Sequence, residues 1–234
     1  MIINNDFTYH DLKIIILEEV DSTNTFAKKY PFKKDGLVLS SHQTAGKGRY
    51  QRSFYSPKDK GIYFSLVLHD LNLSAQLYTI IMGIAISKYI KNSHIKYLND
   101  VLIGAKKVSG ILCEGVIVGN KYQKMIIGAG INLFETEVPN ELKDIMTFIN
   151  DKDLNVTSFI TNILDTFYEL LKLDNNQIIE NYKNLCSTLN KWVVIDAQNY
   201  YCLDISSEGH LICLDENKNQ VKFSNAEVSF HPNK

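Results

Sequence analysis

The chain has 234 residues, 45% hydrophobic and 22% charged, which places it among folded globular proteins and excludes a long disordered chain. At roughly 150 residues per domain, one or two domains are expected. Lys and Arg total 25 against 26 Asp and Glu, and this net charge of −1 argues against a general nucleic-acid binder while allowing a local basic loop.

Residues 12–20 (LKIIILEEV) read as a buried strand. Asp21-Ser22-Thr23-Asn24 follows with several helix N-cap residues, and TFAKKY forms a short helix behind them. Residues 37–42 are a second strand. Residues 43–57 have no apolar periodicity, and a loop of that length inside a compact domain usually has a function. Residues 61–69 make a third strand, and 75–91 place apolar side chains all round, as in a buried helix. Residues 95–97 and 101–103 flank a turn-like Leu98-Asn99-Asp100, with Gly104 punctuating a hairpin. Residues 107–118 and 124–132 are two further strands, and 157–172 and 177–188 are amphipathic helices. From Trp192 onwards four or five short strands form a small β-unit. Two domains are therefore expected, 1–188 and 189–234.

Four cysteines, at 113, 186, 202 and 213, show no Cys-x-x-Cys spacing and fit a reducing compartment. No segment reaches the roughly 18 apolar residues of a membrane span. Residues 14–17, followed by Glu18 and Glu19, are too short and acidic for a signal peptide. A cytoplasmic protein without a membrane partner is expected. The histidines at 10, 42, 69, 94, 210 and 231 lack metal-type spacing, and neither Gly-x-Ser-x-Gly nor His-Glu-x-x-His occurs.

Four segments carry candidate chemistry. The sharpest is Gly46-Lys47-Gly48-Arg49-Tyr50-Gln51-Arg52, which holds the chain's only two arginines against 23 lysines. Its glycines allow close backbone approach, and its cations match phosphate or carboxylate. Taken alone, the loop reads equally as a solvated basic surface. Lys107 heads an apolar strand, where its ammonium needs a polar cleft. Asn99-Asp100 reads alone as turn chemistry. Gly128-Ala129-Gly130-Ile131-Asn132 marks a bulge or a close approach to the strand backbone. Asp21-Ser22-Thr23-Asn24 reads alone as helix capping.

In this order, the segments resemble the biotin–protein ligase family. The family pattern is Asp-Ser-Thr-Asn, a Gln leading into Gly-Arg-Gly-Arg-x-Gly-Arg, and Lys-Trp-Pro-Asn-Asp. Lys-x-x-Gly-Ile-Leu with a Glu two residues on and Gly-x-Gly-Ile-Asn complete it. Here these stand at 21–24, Gln43 with 46–52, 96–100, 107–112 with Glu114, and 128–132. Lys47 replaces the first loop Arg, Gln51 its last Gly, and Tyr97-Leu98 the Trp-Pro. The Lys keeps charge but loses a planar fork.

The resemblance implies an α+β fold. It has a mixed β-sheet with helices on one side, like the core of class II aminoacyl-tRNA synthetases, and a small C-terminal Src-homology-like β-barrel. It implies an enzyme that makes biotinyl-AMP from biotin and Mg²⁺-ATP and passes biotin to a lysine of a biotin carboxyl carrier domain. Lys107 and Arg49 are the implied catalytic residues. Ser22, Thr23, Asn24, Gln43, Gly46, Lys47, Gly48 and Gly110 join them at biotin, with Gly110 and Gly130 leaving room against the sheet. Arg49, Arg52, Asn99, Asp100, Lys107 and Asn132 are implied for the nucleotide. Some family members also carry an N-terminal DNA-binding domain. The 20 residues before Asp21 read as the first strand, so no DNA partner is expected, and the protein would be a monomer or homodimer. Two readings compete: a lipoate–protein ligase of the same fold, and a catalytically weak biotin- or adenylate-binding protein. The 43–57 loop is expected to pack poorly without ligand.

Overall fold

The computed structural model describes residues 3 and 6–230; His231 and the end of the expected second domain lie outside the described residues. Seven strands form one sheet, in the order β1-β2-β3-β7-β6-β5-β4. They are β1 (Lys13–Leu17), β2 (Gly36–Ser40), β3 (Gly61–Leu68), β4 (Ser93–Lys96), β5 (Asp100–Ile103), β6 (Lys106–Val118) and β7 (Lys121–Asn132). The β1–β2 pair is parallel because helix α1 (Thr23–Lys29) crosses between them, and the other pairs are antiparallel.

Helix α2 (Ala75–Ser87) is buried from Leu77 to Ser87. It lies between the sheet and helices α3 (Val156–Leu170) and α4 (Asn175–Lys183), which explains its all-round apolar sequence. In α3 the buried residues Phe159, Ile160, Ile163, Leu164 and Phe167 form one inner stripe at helical spacing.

The expectation of helices on one side is corrected here. Helix α1 lies on the opposite face, where Ala27 and Phe32 pack with Val38, Val67 and Ile126. Beside it the same face carries Ser65, Gly128, Gly130 and Gly110 in adjacent register on β3, β7 and β6. Small residues there leave a shallow bed next to the start of α1.

The second sheet holds β8 (Trp192–Ile195), β9 (Gln198–Ile205), β10 (Leu211–Leu214), β11 (Gln220–Phe223) and β12 (Ser229–Phe230), in the order β11-β10-β9-β8-β12. The chain therefore returns to the far edge and makes a small barrel-like unit. Ile95 pairs through its backbone with Leu185 and Ser187, which fixes the segment entering this sheet to β4. Tyr97 Oη donates to Gly209 O at 3.0 Å, tying β10's approach to the first sheet. Among the described residues no helix is long and apolar enough to cross a membrane.

Candidate functional site

The site is built at the start of α1. Ser22 is the N-cap, its Oγ accepting from Thr25 N, so Thr23 and Asn24 lie inside the first turn rather than before it. Thr23 donates through both its backbone N and Oγ1 to Gln43 Oε1, at 2.9 and 3.2 Å. Gln43 Nε2 donates to Ser56 Oγ at 3.1 Å. Ser22, Thr23 and Gln43 thus form one polar cluster at the mouth of the loop.

Asn24 has a different place. Its Nδ2 donates to Leu112 O and to Glu114 Oε2, and its Oδ1 accepts from Ser65 Oγ at 2.6 Å. Glu114 is held in turn by Lys28 at 2.5 Å. A Cβ on Gly128 would fall 2.2 Å from Asn24 Oδ1, so that glycine admits Asn24 as the pocket floor. Buried Lys124 donates to Ala27 O and Tyr30 O, which holds the far end of α1; burial pushes its pKa down.

The 43–57 loop is fastened, contrary to expectation. Thr44 N and Ala45 N bond Val20 O and Asp21 O, while Gly48 N bonds Arg52 O and Phe54 N bonds Gly46 O. A Cβ on Gly46 would meet Phe54 O at 2.5 Å, so this backbone approach requires glycine. Lys47 bridges to Ser53 across the loop. Tyr50 and Gln51 turn the chain with φ of 53° and 61°. Gln51 therefore holds a left-handed conformation at the position where the family pattern has Gly.

Both arginines point towards the C-terminal segment. Arg49 donates to Asn99 Oδ1 at 2.8 Å, to Asn225 Oδ1 and to Ala226 O. Arg52 pairs with Glu227. Sequence reasoning missed Asn225, Ala226 and Glu227, because nothing in the local pattern announces their return to the loop.

Lys107 lies 2.6 Å from Asp100 Oδ1, and Asn99 Nδ2 contacts the same carboxylate oxygen at 3.1 Å. A bulge aims this lysine. The β5–β6 register pairs Leu102 with Lys107 and Val101 with Ser109, leaving Val108 as an extra residue. Without it Lys107 and Gly110 would face opposite sides of the sheet. With it, a Cβ on Gly110 would meet Lys107 Nζ at 2.7 Å. Asn132 Nδ2 donates to Thr147 O at 3.0 Å, joining the end of β7 to the strand-like segment beside Lys107.

Lys107, Asn99, Asp100, Arg49, Arg52, Gly48 and Asn132 line one cavity of about 440 Å³, closed on its apolar side by Leu142, Ile145 and Met146. Ser22, Thr23, Asn24, Gln43, Lys47 and Gly110 line a second hollow of about 20 Å³. That space is about the size of one water. The expected room at Gly110 and Gly130 is taken by Phe54, whose ring would lie 2.6 Å from a Cβ on Gly130. Phe54 stands edge-on to Tyr63, and Lys107 Nζ lies 5.6 Å from its ring centre. It is a further residue that the motif reading passed over.

Residues 16–132 match the biotin/lipoate A/B protein ligase family. The chain belongs to this family. It is 37% identical over 124 residues to the bifunctional ligase/repressor BirA of Bacillus spizizenii, covering 49% of this chain and 38% of that protein. It is 26% identical over 217 residues to the biotin–[acetyl-CoA-carboxylase] ligase of Mycobacterium tuberculosis, covering 83% and 79%. The biotin protein ligase from Aquifex aeolicus in complex with biotin and ATP superposes with a TM-score of 0.79 at 27% identity, covering 93% of this chain and 97% of that one. The match spans only 38–43% of the length of the four bifunctional relatives.

Proposed function

We propose that the chain is an ATP-dependent biotin–protein ligase. It forms biotinyl-AMP and pyrophosphate, then transfers biotin to a lysine of a biotin carboxyl carrier domain. The observation that carries this reading is the position of Lys107, which lines the larger cavity and lies against Gly110 and Phe54 of the smaller pocket. One side offers the Ser22, Thr23 and Gln43 cluster over small residues, suited to a ureido ring on an aliphatic chain. The other side is the larger cavity, with Arg49, Arg52 and Lys107 among its walls. Joining a carboxylate to a phosphate brings two anions together, and preplaced cations neutralise them. Lys107 is assigned to the oxygens of both. Its partner Asp100 keeps the ammonium oriented until the ligands arrive.

Arg49 and Arg52 fasten the loop over the adenylate, and Asn99 positions Arg49. Asn24 forms the pocket floor, with its amide donors held by Leu112 and Glu114 and one lone pair of its oxygen by Ser65. Asn132 supports the backbone beside Lys107. Asp100 and Glu227, carboxylates lining that cavity, would hold a Mg²⁺ ion bound with the nucleotide, which would supply charge neutralisation to the phosphates. The division at 188/189 is supported by two sheets that share no strand. A cytoplasmic location is supported by four free cysteines.

The experiment is pyrophosphate release with ATP and either biotin or lipoate, followed by labelling of a carrier domain. Biotin-dependent release with labelling supports the reading. Release with lipoate alone favours the related ligase, and biotin binding without release favours a binding protein.

A further inference from the structure

Strands β4 and β5 pair as far as Lys96 opposite Asp100, so Tyr97, Leu98 and Asn99 form a turn outside the ladder. Two residues of the site hang from this turn. Asn99 Oδ1 accepts from Arg49 at 2.8 Å, and Asp100 Oδ1 lies 2.6 Å from Lys107 Nζ. The turn is pinned on both sides of its centre. Tyr97 N donates to Oγ1 of the fully buried Thr188 at 2.9 Å, and Asn99 O accepts from Ile111 N at 3.0 Å. Between these two points stands the carbonyl of Leu98, beyond the reach of the ladder. It accepts from Tyr182 Oη at 3.0 Å, from a residue 84 positions away in sequence.

Helix α4 delivers that hydroxyl. Its sequence is mostly polar, and its buried residues Ile178, Ile179 and Tyr182 share one inner face. Tyr182 is completely buried. A Phe would fill the same space without a polar atom. A buried hydroxyl costs stability unless it is hydrogen-bonded, and here the bond goes to the turn. Burial holds the phenol's pKa well above its ordinary value, so it stays protonated and donates. Asp100 and Arg49 are among the charges around it.

The peptide between Leu98 and Asn99 is thus held at its oxygen by Tyr182. Released there, the peptide plane can rotate, and Asn99 and Asp100 move with it. Asp100 in turn orients the ammonium of Lys107. Resting on the ligase reading, we propose that Tyr182 is a positioning residue for adenylate formation, acting through Leu98 O, Asp100 and Lys107. It lines neither the nucleotide-side cavity nor the small hollow, so its effect reaches the reaction only through the turn.

The test is Tyr182→Phe, which keeps the ring and removes the hydroxyl. Tyr89→Phe is the control, because it removes a hydroxyl bonded to Thr166 at 2.8 Å between the end of α2 and α3. Pyrophosphate release with biotin and ATP is measured below the unfolding midpoint of every variant. In Tyr182→Phe, kcat is expected to fall about tenfold while binding of biotin alone stays within roughly threefold of wild type. Tyr89→Phe is expected to keep kcat within about twofold. In a Lys107→Ala background, Tyr182→Phe is expected to cost less than about twofold, since the group it positions is gone. A kcat within about twofold of wild type in Tyr182→Phe overturns the proposal. A fall shared equally by Tyr89→Phe, or repeated undiminished in the Lys107→Ala background, also overturns it, because the hydroxyl would then act through general stability or another route. Should Tyr182→Phe not fold, Tyr182→Met is the second hydroxyl-free variant, judged by the same limits. If the wild type releases no pyrophosphate with biotin, the ligase reading itself has failed, which is a distinguishable result.

Discussion

Lys107 and Gly110 face the same side of β6 although three positions separate them, because Val108 is bulged out of the ladder. A strand alternates faces at every residue, so this odd spacing works only with one extra residue. Lys107→Ala leaves the bulge and removes the ammonium between the two pockets. Adenylate formation is expected to fall by about two orders of magnitude or more, the scale of losing one oxyanion donor. Pyrophosphate release checks this, and near wild-type release would remove Lys107 from the reaction.

Phe54 gives the second prediction. Its ring covers Gly110 and Gly130 and leaves about 20 Å³ in the pocket, so it has to move before a bicyclic ligand enters. Phe54→Ala is expected to speed biotin association, since no ring needs displacing. Dissociation should speed up further, because the aromatic cover is gone. Stopped-flow binding separates the two rates; an unchanged association rate would show that the ring does not gate entry.

The sequence made some of this legible and concealed the rest for physical reasons. The glycines at 128 and 130 read from sequence as points of close approach, and the structure sets Asn24 and Phe54 against them. What approaches them is a tertiary matter, and Phe54 was absent from the motif reading. Asn24 reads from sequence as a residue of the biotin site; in the structure it lines the small hollow while its bonds run to Leu112, Glu114 and Ser65. Each of those partners is distant in sequence. The run at 75–91, with apolar side chains all round, reads as a helix as found, but its end at Ser87 depends on how the chain turns into β4. The Val108 bulge has no local signature, because its register is set by β5. The fastened loop was concealed most fully: its anchors at Asn225, Ala226 and Glu227 come from the other end of the chain.

The third prediction concerns pH. Burial, aided by repulsion from Lys191, lowers the pKa of His94 below its ordinary value of 6.5. As pH falls, the unfolded chain therefore binds this proton first, and folded stability is lost from about pH 6.5 downward until the folded histidine protonates too. His94→Gln removes that contribution. Thermal unfolding at pH 8 and pH 5.5 should show a smaller acid-side drop for the variant. Equal drops would mean that His94 titrates alike in both states.

The last prediction concerns retention of the adenylate. Biotinyl-AMP is a mixed anhydride that acylates any amine reaching it, so the site has to stay closed until the carrier docks. On the proposed function Arg49 is the side chain expected to close it: one guanidinium joins the loop to Asn99 beside the sheet and to Asn225 and Ala226 of the C-terminal segment. A Lys at this position would supply charge without the planar fork that spans both sides. Arg49→Gly removes the clasp and leaves the Lys107–Asp100 pair in place. Three charge-assisted hydrogen bonds, to Asn99, Asn225 and Ala226, are lost, and even one, about 1.5–3 kcal/mol, corresponds to a roughly 10- to 100-fold faster release of the adenylate. Adenylate synthesis should persist while unrelated proteins become biotinylated on surface lysines. The Arg52–Glu227 pair is exposed and does not replace the lost span, so Arg52→Gly should leak far less. A biotin blot of each variant incubated with biotin, ATP and an unrelated protein reads this directly. Preserved synthesis without labelling above wild type in Arg49→Gly would assign the closure to the loop backbone instead.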